Sequence, residues 1–234
     1  MILVTGGTGT LGRAVVTGLR AAGHTPRVLS RRGDTRGDLR TGAGLPAALA
    51  GVETVVHCAT SLRRHDLTHA ANLVDAARGA GRPHVVFASI VGVDTIPLPY
   101  YRTKLAVERM LASSGLPWTV LRATQFHDLV LRLFTLQRWS PALLLPAGTR
   151  FQPVDVRDVA ARLIELAAGG PAGRVPDFGG PEVRRLRDLA RAYTRRPLLP
   201  IPLPGKVIRG YRTGANLAEK AGTITFEQYL EDQR

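Results

Sequence analysis

The chain has 234 residues, of which 44% are hydrophobic, so it can bury one sizeable core and is not a disordered protein. Its formal net charge is +14, but the arginines are spread along the chain without a long basic tract, which argues against a nucleic-acid interface. The single cysteine, Cys58, excludes an intrachain disulfide and a multi-cysteine metal site.

The first predicted elements are a short strand, a glycine-rich turn and a helix. Apolar residues 1–4 form the strand, and hydrophobic residues recur at helical spacing over residues 11–19. Glycines between them allow a sharp turn, close approach to a pyrophosphate and tight packing of helix on strand. The helix then directs its free N–H groups at the phosphates. The predicted dinucleotide site comprises Gly6, Thr8, Gly9, Thr10, Leu11 and Gly12.

The second strand, residues 26–30, ends at Arg31 and Arg32, where an NAD-binding site usually places an acidic residue. Guanidinium groups bind a phosphate through paired hydrogen bonds, so we expect NADP(H) rather than NAD(H). Asp38, with Leu39 beside it, is a candidate for accepting a hydrogen bond from the adenine amino group; a plain turn is the alternative.

Strands and helices then alternate over residues 54–58, 66–79, 84–88, 100–113 and 118–122. This alternation predicts an α/β fold with a Rossmann-like, doubly wound parallel sheet. Cys58, Ala59 and Thr60 follow the third strand and are expected to line the cofactor groove.

The pattern loosens after Thr124. We predict an amphipathic stretch over residues 126–136, a strand near 151–154, a helix over 156–168 and a proline-broken tail. Residues 1–124 are therefore expected to form the NAD(P)-binding core. Residues 125–234 would complete the sheet and form a small substrate-facing lobe, within one structural domain overall.

Tyr100 and Lys104 are four residues apart, on one face of a predicted helix. A nearby ammonium stabilises a phenolate, so such a pair can exchange a proton with a carbonyl or an alcohol. Ser89 follows the preceding strand, where its hydroxyl could bind the same substrate oxygen.

These features, in this order, resemble the short-chain dehydrogenase/reductase superfamily. The segments TGGTGTLGR, FASIVGVD, PYYRTKLAVERML and LRATQFH resemble its atypical branch, the NmrA-like and epimerase-like NAD(P)-binding proteins. The resemblance covers most of the chain and implies that Ser89, Tyr100 and Lys104 are catalytic, with Lys104 also holding the nicotinamide ribose. It further implies that Arg122, Ala123 and Thr124 border the nicotinamide. The superfamily's catalytic Asn has no clear match, since both Asn72 and Asp66 lie on the helix that would carry it.

Phe126 and His127 lie where a substrate is expected, although a histidine packed at a helix start is the alternative. The other histidines show no ligand spacing, so we predict no metal.

The resulting hypothesis is an NADPH-dependent oxidoreductase, similar to a ketoreductase, that acts on a small or polycyclic carbonyl compound. The alternatives are an NADP(H)-binding redox sensor of the NmrA type without turnover, and a sugar epimerase-like enzyme. No apolar stretch approaches the roughly 20 residues that span a bilayer. We therefore expect a cytoplasmic monomer or homodimer that takes a small-molecule substrate and has no nucleic-acid or membrane partner.

Overall fold

A computed structural model describes residues 1–61 and 65–233 of the chain. Most of its strands form one parallel sheet. The strands among the described residues are β1 (Ile2–Thr5), β2 (Arg27–Ser30), β3 (Thr35–Arg36), β4 (Thr54–His57), β5 (His84–Ile90), β6 (Trp118–Ala123), β7 (Leu143–Pro146), β8 (Arg150–Phe151), β9 (Gly173–Arg174), β10 (Arg184–Arg185) and β11 (Leu198–Ile201). Seven of them lie in the order β3-β2-β1-β4-β5-β6-β9, with parallel pairing throughout.

This order confirms the predicted doubly wound sheet. From β1 the chain adds strands outward on one side through β2 and β3, and then returns to the other side of β1 with β4. The residue that ends β1, Thr5, is in register with Leu29 on one side and His57 on the other. Ligands of such folds bind beyond the carboxyl ends of the strands at this change of direction.

Helices cover both faces of the sheet. The described helices are α1 (Thr10–Ala21), α2 (Leu45–Leu49), α3 (Asp66–Gly79), α4 (Pro99–Ser113), α5 (His127–Thr135), α6 (Val156–Ala168), α7 (Leu186–Tyr193), α8 (Lys206–Thr213) and α9 (Phe226–Glu231). Helices α1 and α6 share one hydrophobic cluster with the sheet, whereas α2, α3 and α4 share the cluster on the opposite face. The sheet is therefore buried on both sides, as parallel sheets are.

The packing of α1 on α6 follows from their sequences. Apolar residues of α1 at helical spacing are buried, and at the contact a Cβ on Gly18 would lie 2.7 Å from Cδ1 of Ile164. Helix α6 begins at Asp155, whose carboxylate accepts a hydrogen bond from the Arg157 N–H. Burial of each Leu or Val contributes about 1.5–3 kcal/mol, so these stripes fix the helix positions.

The C-terminal part contributes to the main sheet and also builds a third hydrophobic cluster. Strand β9 pairs with β6, while β7 pairs with β11 and β8 pairs with β10 in two small sheets. The third cluster is formed by residues of α5, α7 and α9 with these small sheets. The predicted strand at 151–154 is wrong in its bounds, since β8 ends at Phe151 and Val154 makes only an isolated bridge with Phe126.

The last residue of β4, His57, is a buried core histidine. Its Nδ1 lies 2.7 Å from Oγ1 of Thr5, and its ring stacks on Phe87 with 5.5 Å between centroids. Burial, together with the positive charge of Lys104, lowers the pKa of His57 to about 3. The ring is therefore neutral in the folded protein at neutral pH.

We expect His57 to make the fold sensitive to acid. The unfolded chain binds a proton on this ring near pH 6.5, and the folded chain does so only near pH 3. The contribution to stability is therefore complete above pH 6.5 and is lost on acidification, by about 1.4 kcal/mol per pH unit. Urea unfolding at pH 7 and pH 5 measures this loss. His57→Asn should be less stable at pH 7 but lose less between the two pH values, and an equal loss in both proteins would contradict the assignment.

Candidate active site

The turn between β1 and α1 has no room for side chains. Gly6 has a φ of +69°, and a Cβ there would lie 2.6 Å from Cα of Ala59. A Cβ on Gly12 would lie 2.6 Å from the carbonyl carbon of Gly6. The Gly9 N–H donates to the Gly6 carbonyl at 2.9 Å, which closes the turn. The structure thus brings the three predicted glycines together in one compact backbone cradle.

The N-terminus of α1 is open for an anion. Gly9 is its N-cap and provides no side-chain cap, and the first turn carries no acidic residue. Thr8, Gly9 and Thr10 are exposed, whereas the Leu11 side chain lies in the core, so Leu11 can offer a ligand only its backbone. The free N–H groups and the positive end of the helix dipole suit a pyrophosphate.

Two arginines lie at the end of β2. Arg31 and Arg32 are exposed, and the Arg32 N–H donates to the Ser30 hydroxyl at 3.2 Å. Within the described part of the chain, neither guanidinium forms an ion pair with a carboxylate. They are therefore available for an external phosphate.

The loop after β3 is held by its own hydrogen bonds. The Arg40 N–H donates to Oδ1 of Asp38 at 2.8 Å, and Leu39 packs against the core. Nδ2 of Asn72 donates to the Leu39 carbonyl at 2.8 Å. Asn72 therefore fixes this loop, and of the two candidates for the missing superfamily Asn, only Asp66 reaches the surroundings of Tyr100.

The segment after β4 meets the glycine turn. The Cys58 N–H donates to the Thr5 carbonyl at 3.1 Å, and the backbone of Ala59 is the surface that Gly6 approaches. Burial raises the pKa of the Cys58 thiol to about 12, so it stays protonated and is a poor nucleophile. Thr60, the next residue, is exposed.

Thr60 links Tyr100 to a buried carboxylate. Its Oγ1 donates to Oδ2 of Asp66 at 2.7 Å and lies 2.8 Å from the Tyr100 hydroxyl. Asp66 also accepts hydrogen bonds from the Ser61 N–H and hydroxyl, both at 2.6 Å. Burial opposes its ionisation, but these hydrogen bonds outweigh it and lower the pKa of Asp66. An ionised carboxylate can only accept hydrogen bonds, so the Thr60 hydroxyl donates to Asp66. Thr60 has no second hydrogen to donate, and the Tyr100 hydroxyl must therefore donate to Thr60.

Lys104 lies beneath this chain of hydrogen bonds. Its Nζ is buried, donates to the Ala88 carbonyl at 3.2 Å and lies 4.6 Å from the centroid of the Phe87 ring. The distance from Nζ to the centroid of the Tyr100 ring is 5.8 Å. Burial lowers the pKa of Lys104, and the negative charge of Asp66 opposes that shift.

The expected effect of Lys104 on Tyr100 is not found. Burial raises the pKa of Tyr100 to about 12, and the charge of Asp66 adds to the rise. The reason is that the ammonium of Lys104 faces the Ala88 carbonyl and the Phe87 ring, while the anion Asp66 lies on the hydroxyl side. Tyr100 is therefore a neutral hydrogen-bond donor.

The structure does not bring Ser89 to the Tyr100 hydroxyl. Strand β5 continues through Ser89 to Ile90, two residues beyond its predicted end, with Ser89 in register with Arg122 of β6. The Ser89 side chain is buried and donates to Oε1 of Glu108 on α4. The Ser89 hydroxyl therefore faces Glu108 on α4, and not the position beside Tyr100 where it was predicted to bind a substrate oxygen.

An ionic cluster lies next to Ser89 and was not predicted; Arg122 and Glu108 are buried, whereas Asp94 is exposed. Nη2 of Arg122 lies 2.7 Å from Oε2 of Glu108, and Nη1 lies 2.7 Å from Oδ2 of Asp94. The cluster ties α4 to β6 and to the loop after β5. The sequence carried one indication of this cluster. Glu108 is four residues from Lys104, and side chains four residues apart on a helix lie on the same face, so the spacing indicates that Glu108 lies near the site.

The residues at the end of β6 and just beyond it contact the C-terminal part. The Thr124 hydroxyl donates to the Gln152 carbonyl, and Ala123 belongs to the core. His127 is buried, with Nε2 3.0 Å from the Ile224 carbonyl and its ring stacked on Tyr229. This is the alternative arrangement, a histidine packed at a helix start, because the C-terminal segment covers the ring. Phe126, partly buried as the N-cap of α5, remains a candidate.

An apolar wall lies beside Tyr100 and includes residues that the sequence did not indicate. Tyr100 packs against a small buried cluster of Val93, Ile96 and Tyr101, and Ile90, Leu98, Val207 and Tyr211 pack against the same cluster, the last two from α8. Helix α8 thus reaches the helix that carries Tyr100, and the hydroxyls of Tyr101 and Tyr211 lie 3.0 Å apart.

Within residues 1–61 and 65–233, no three His, Cys, Asp or Glu side chains lie close enough to bind a metal ion. None of the helices described is both long and apolar enough to cross a bilayer.

The arrangement fits a dinucleotide cofactor. The glycine cradle would be filled by any Cβ at Gly6 or Gly12, and the adjoining helix N-terminus is uncapped. The chain connects this turn to Tyr100, because Gly6 approaches Ala59 and the next residue, Thr60, lies 2.8 Å from the Tyr100 hydroxyl. A cofactor bound along this connection would have its phosphates at α1 and its far end near Tyr100.

Comparisons with known proteins point to the same class of cofactor. Residues 6–132 match a family model described as NAD(P)H-binding. The chain is 28% identical to an NAD(P)H azoreductase from Xenophilus azovorans, over 98% of this chain and 86% of the relative. It is 31% identical to a (4-alkanoyl-5-oxo-2,5-dihydrofuran-3-yl)methyl phosphate reductase from Streptomyces griseus, over 85% and 75%. The Escherichia coli NADPH-dependent quinone oxidoreductase QOR2, crystallised with NADPH, superposes with a TM-score of 0.87 at 21% identity, covering 100% and 99% of the two chains.

Proposed function

The chain belongs to the NAD(P)H-binding family, and on that premise we propose that it is an NADPH-dependent oxidoreductase whose acceptor is an electron-poor, planar compound such as a quinone. This departs from the ketoreductase that the sequence favoured. The support comes from the donors that surround the expected position of the acceptor.

The chain's own residues account for cofactor binding. The backbone of Gly6–Gly12 and the α1 N-terminus would hold the pyrophosphate, and Lys104 would hold the ribose next to the nicotinamide. Arg31 and Arg32 would bind the 2′-phosphate that distinguishes NADPH from NADH. When bound, NADPH supplies the hydride.

A ketone and a quinone make different demands on such a site. Reduction of a ketone gives an alkoxide, and the pKa of an alcohol is close to that of water, about 16. A strong acid must therefore assist in the transition state. Reduction of a quinone gives a phenolate-like anion whose pKa is about 10, so a single hydrogen bond is enough.

The site offers one weak donor rather than two positioned ones. The Ser89 hydroxyl is committed to Glu108, and this is the observation that carries the proposal. The pKa of Tyr100 is raised to about 12, and its hydroxyl donates a hydrogen bond to Thr60 in this structure. Ile90, Leu98 and Val207 pack against the same buried cluster as Tyr100, and apolar surroundings of this kind suit a flat aromatic acceptor.

The test is Tyr100→Phe, with Tyr193→Phe on α7 as the matched control. With a quinone acceptor we expect kcat/KM to fall less than about tenfold, because a neutral hydrogen bond contributes about 0.5–1.5 kcal/mol. Loss of an obligatory general acid would cost about 10²–10⁴-fold. NADPH oxidation followed at 340 nm measures both variants. A loss above 100-fold for Tyr100→Phe alone would overturn the proposal.

Cofactor preference gives a separate prediction. The double variant Arg31→Ala/Arg32→Ala should raise KM for NADPH at least tenfold and leave KM for NADH unchanged, because only NADPH carries the 2′-phosphate. Arg187→Ala, an exposed arginine on α7, should change neither value. An equal change in KM for NADPH and for NADH would show that the two arginines do not bind the 2′-phosphate.

A further inference from the structure

Two long segments of the C-terminal part carry positive charge and no carboxylate. Residues 129–154 contain three arginines and no Asp or Glu, and residues 189–218 contain six Lys or Arg and no Asp or Glu. The arginines are spread when the whole sequence is read. The carboxylates are not, and the two segments together carry nine positive charges and no negative one, with Asp128, Asp188 and Glu219 at their borders.

The fold joins the two segments into one lobe. Strand β7 of the first pairs in parallel with β11 of the second, and Leu144 is in register with Leu199. Nη1 of Arg196 donates to the carbonyls of Gln137 and Ser140 at 2.7 and 2.8 Å. We refer to residues 129–154 and 189–218 as the basic lobe.

The basic lobe also exposes large apolar side chains. Trp139 is 85% exposed, Leu136 67%, Leu199 50% and Leu144 46%. The register places Leu144 beside Leu199 on the outer side of the small sheet, and Gln137 bonds to the backbone of Leu144, which brings the end of α5 to the same place. Single exposed leucines are ordinary, but a group of this kind marks an interaction surface.

The chemistry of the lobe favours a lipid surface over other partners. A second copy of the chain would bring two clusters of like charge together, which is unfavourable. Nucleic acid would use the arginines but not the leucines. An anionic bilayer uses both, since apolar tips enter the interface and arginines stay at the phosphates. The Arg138 guanidinium lies 5.2 Å from the centroid of the Trp139 ring, which unites both features in one pair.

We propose that the basic lobe docks reversibly on anionic phospholipid membranes, with Leu136 and Trp139 inserted at the interface and the surrounding arginines at the lipid phosphates. The inference goes beyond the proposed reductase activity and does not depend on it.

Co-sedimentation with vesicles tests this docking. We expect the protein to bind vesicles containing about one third phosphatidylglycerol in phosphatidylcholine, and to bind pure phosphatidylcholine at least tenfold more weakly. Leu136→Ser/Trp139→Ser should weaken binding at least tenfold. Val183→Ser removes another exposed apolar side chain, 41% exposed and outside the lobe, and should bind like the wild type. The tryptophan emission should shift to the blue on binding, and the shift should vanish in Trp139→Phe.

Three results would overturn the proposal. One is equal binding of both vesicle types or of the double variant and the wild type. Another is a stable dimer in solution that the double variant dissociates, since the lobe would then be covered by a second copy. The third is tight, salt-sensitive binding to duplex DNA that persists in the double variant while vesicles are not bound. Both substituted side chains are exposed, so the unfolding temperature should stay at the wild-type value and confirm that the variant is folded.

Discussion

Replacing Gly12 with alanine should abolish measurable NADPH binding. The new Cβ would lie 2.6 Å from the carbonyl carbon of Gly6 and 2.8 Å from Cα of Gly7, and backbone atoms cannot move aside as a flexible side chain can. Overpacking of this kind costs about 1–3 kcal/mol or more of free energy. The resulting distortion lies in the turn that would hold the pyrophosphate. Since 1.4 kcal/mol is tenfold in affinity, we expect Kd to rise at least 100-fold.

The chain offers a matched control at Gly79. This glycine ends α3, and a Cβ there would meet nothing within 4 Å. Gly79→Ala should leave Kd unchanged and raise the free energy of unfolding by up to about 1 kcal/mol, because alanine restricts the unfolded chain. Isothermal titration calorimetry with NADPH measures Kd for both variants. Wild-type affinity in Gly12→Ala would refute the assignment of the turn as the pyrophosphate site.

Lys104→Met should reduce kcat/KM for NADPH by about 100- to 1000-fold. The side chain is buried beside the groove, and removal of a charged hydrogen-bond partner costs about 1.5–3 kcal/mol. The remainder of the loss is expected from a misplaced nicotinamide end, because small displacements of reacting groups are costly. Asp66 would also lose its nearby positive charge, so the pKa of Asp66 should rise.

The controls must show whether Lys104→Met loses activity through a missing cofactor contact or through unfolding of the protein. Lys220→Met, at an exposed lysine, should keep wild-type kinetics. Replacing a buried charge by an apolar chain of similar length is often neutral for stability, so the midpoint of urea unfolding of Lys104→Met should not fall substantially. A folded Lys104→Met protein with more than one tenth of wild-type kcat/KM would show that Lys104 does not hold the cofactor.

Much of the sheet and its helices was predictable because the relevant signals are local. The bounds of α3 and α6 match the prediction, since both helices carry apolar residues at helical spacing. The parallel order follows from the alternation of strands and helices. Helices α7, α8 and α9 were missed because each is at most eight residues long and two of them flank prolines.

The errors at the site have a common physical origin in contacts between distant residues. The run His84–Ile90 is buried along most of its length, so hydrophobic alternation could not show which face Ser89 occupies. His127 is covered by Ile224 and Tyr229, about 100 residues further along the chain. The pKa of Tyr100 depends on burial and on Asp66, whereas its spacing from Lys104 alone indicated the opposite direction.

The most direct measurement is a comparison of acceptors with the wild-type enzyme. NADPH oxidation at 340 nm is followed with a naphthoquinone and with an aromatic ketone of similar size, under the same conditions. A site with one weak donor should give the quinone a kcat/KM at least 100-fold above that of the ketone. Comparable values for the two, or faster reduction of the ketone, would contradict the account. So would a protein that binds NADPH and oxidises it with neither acceptor.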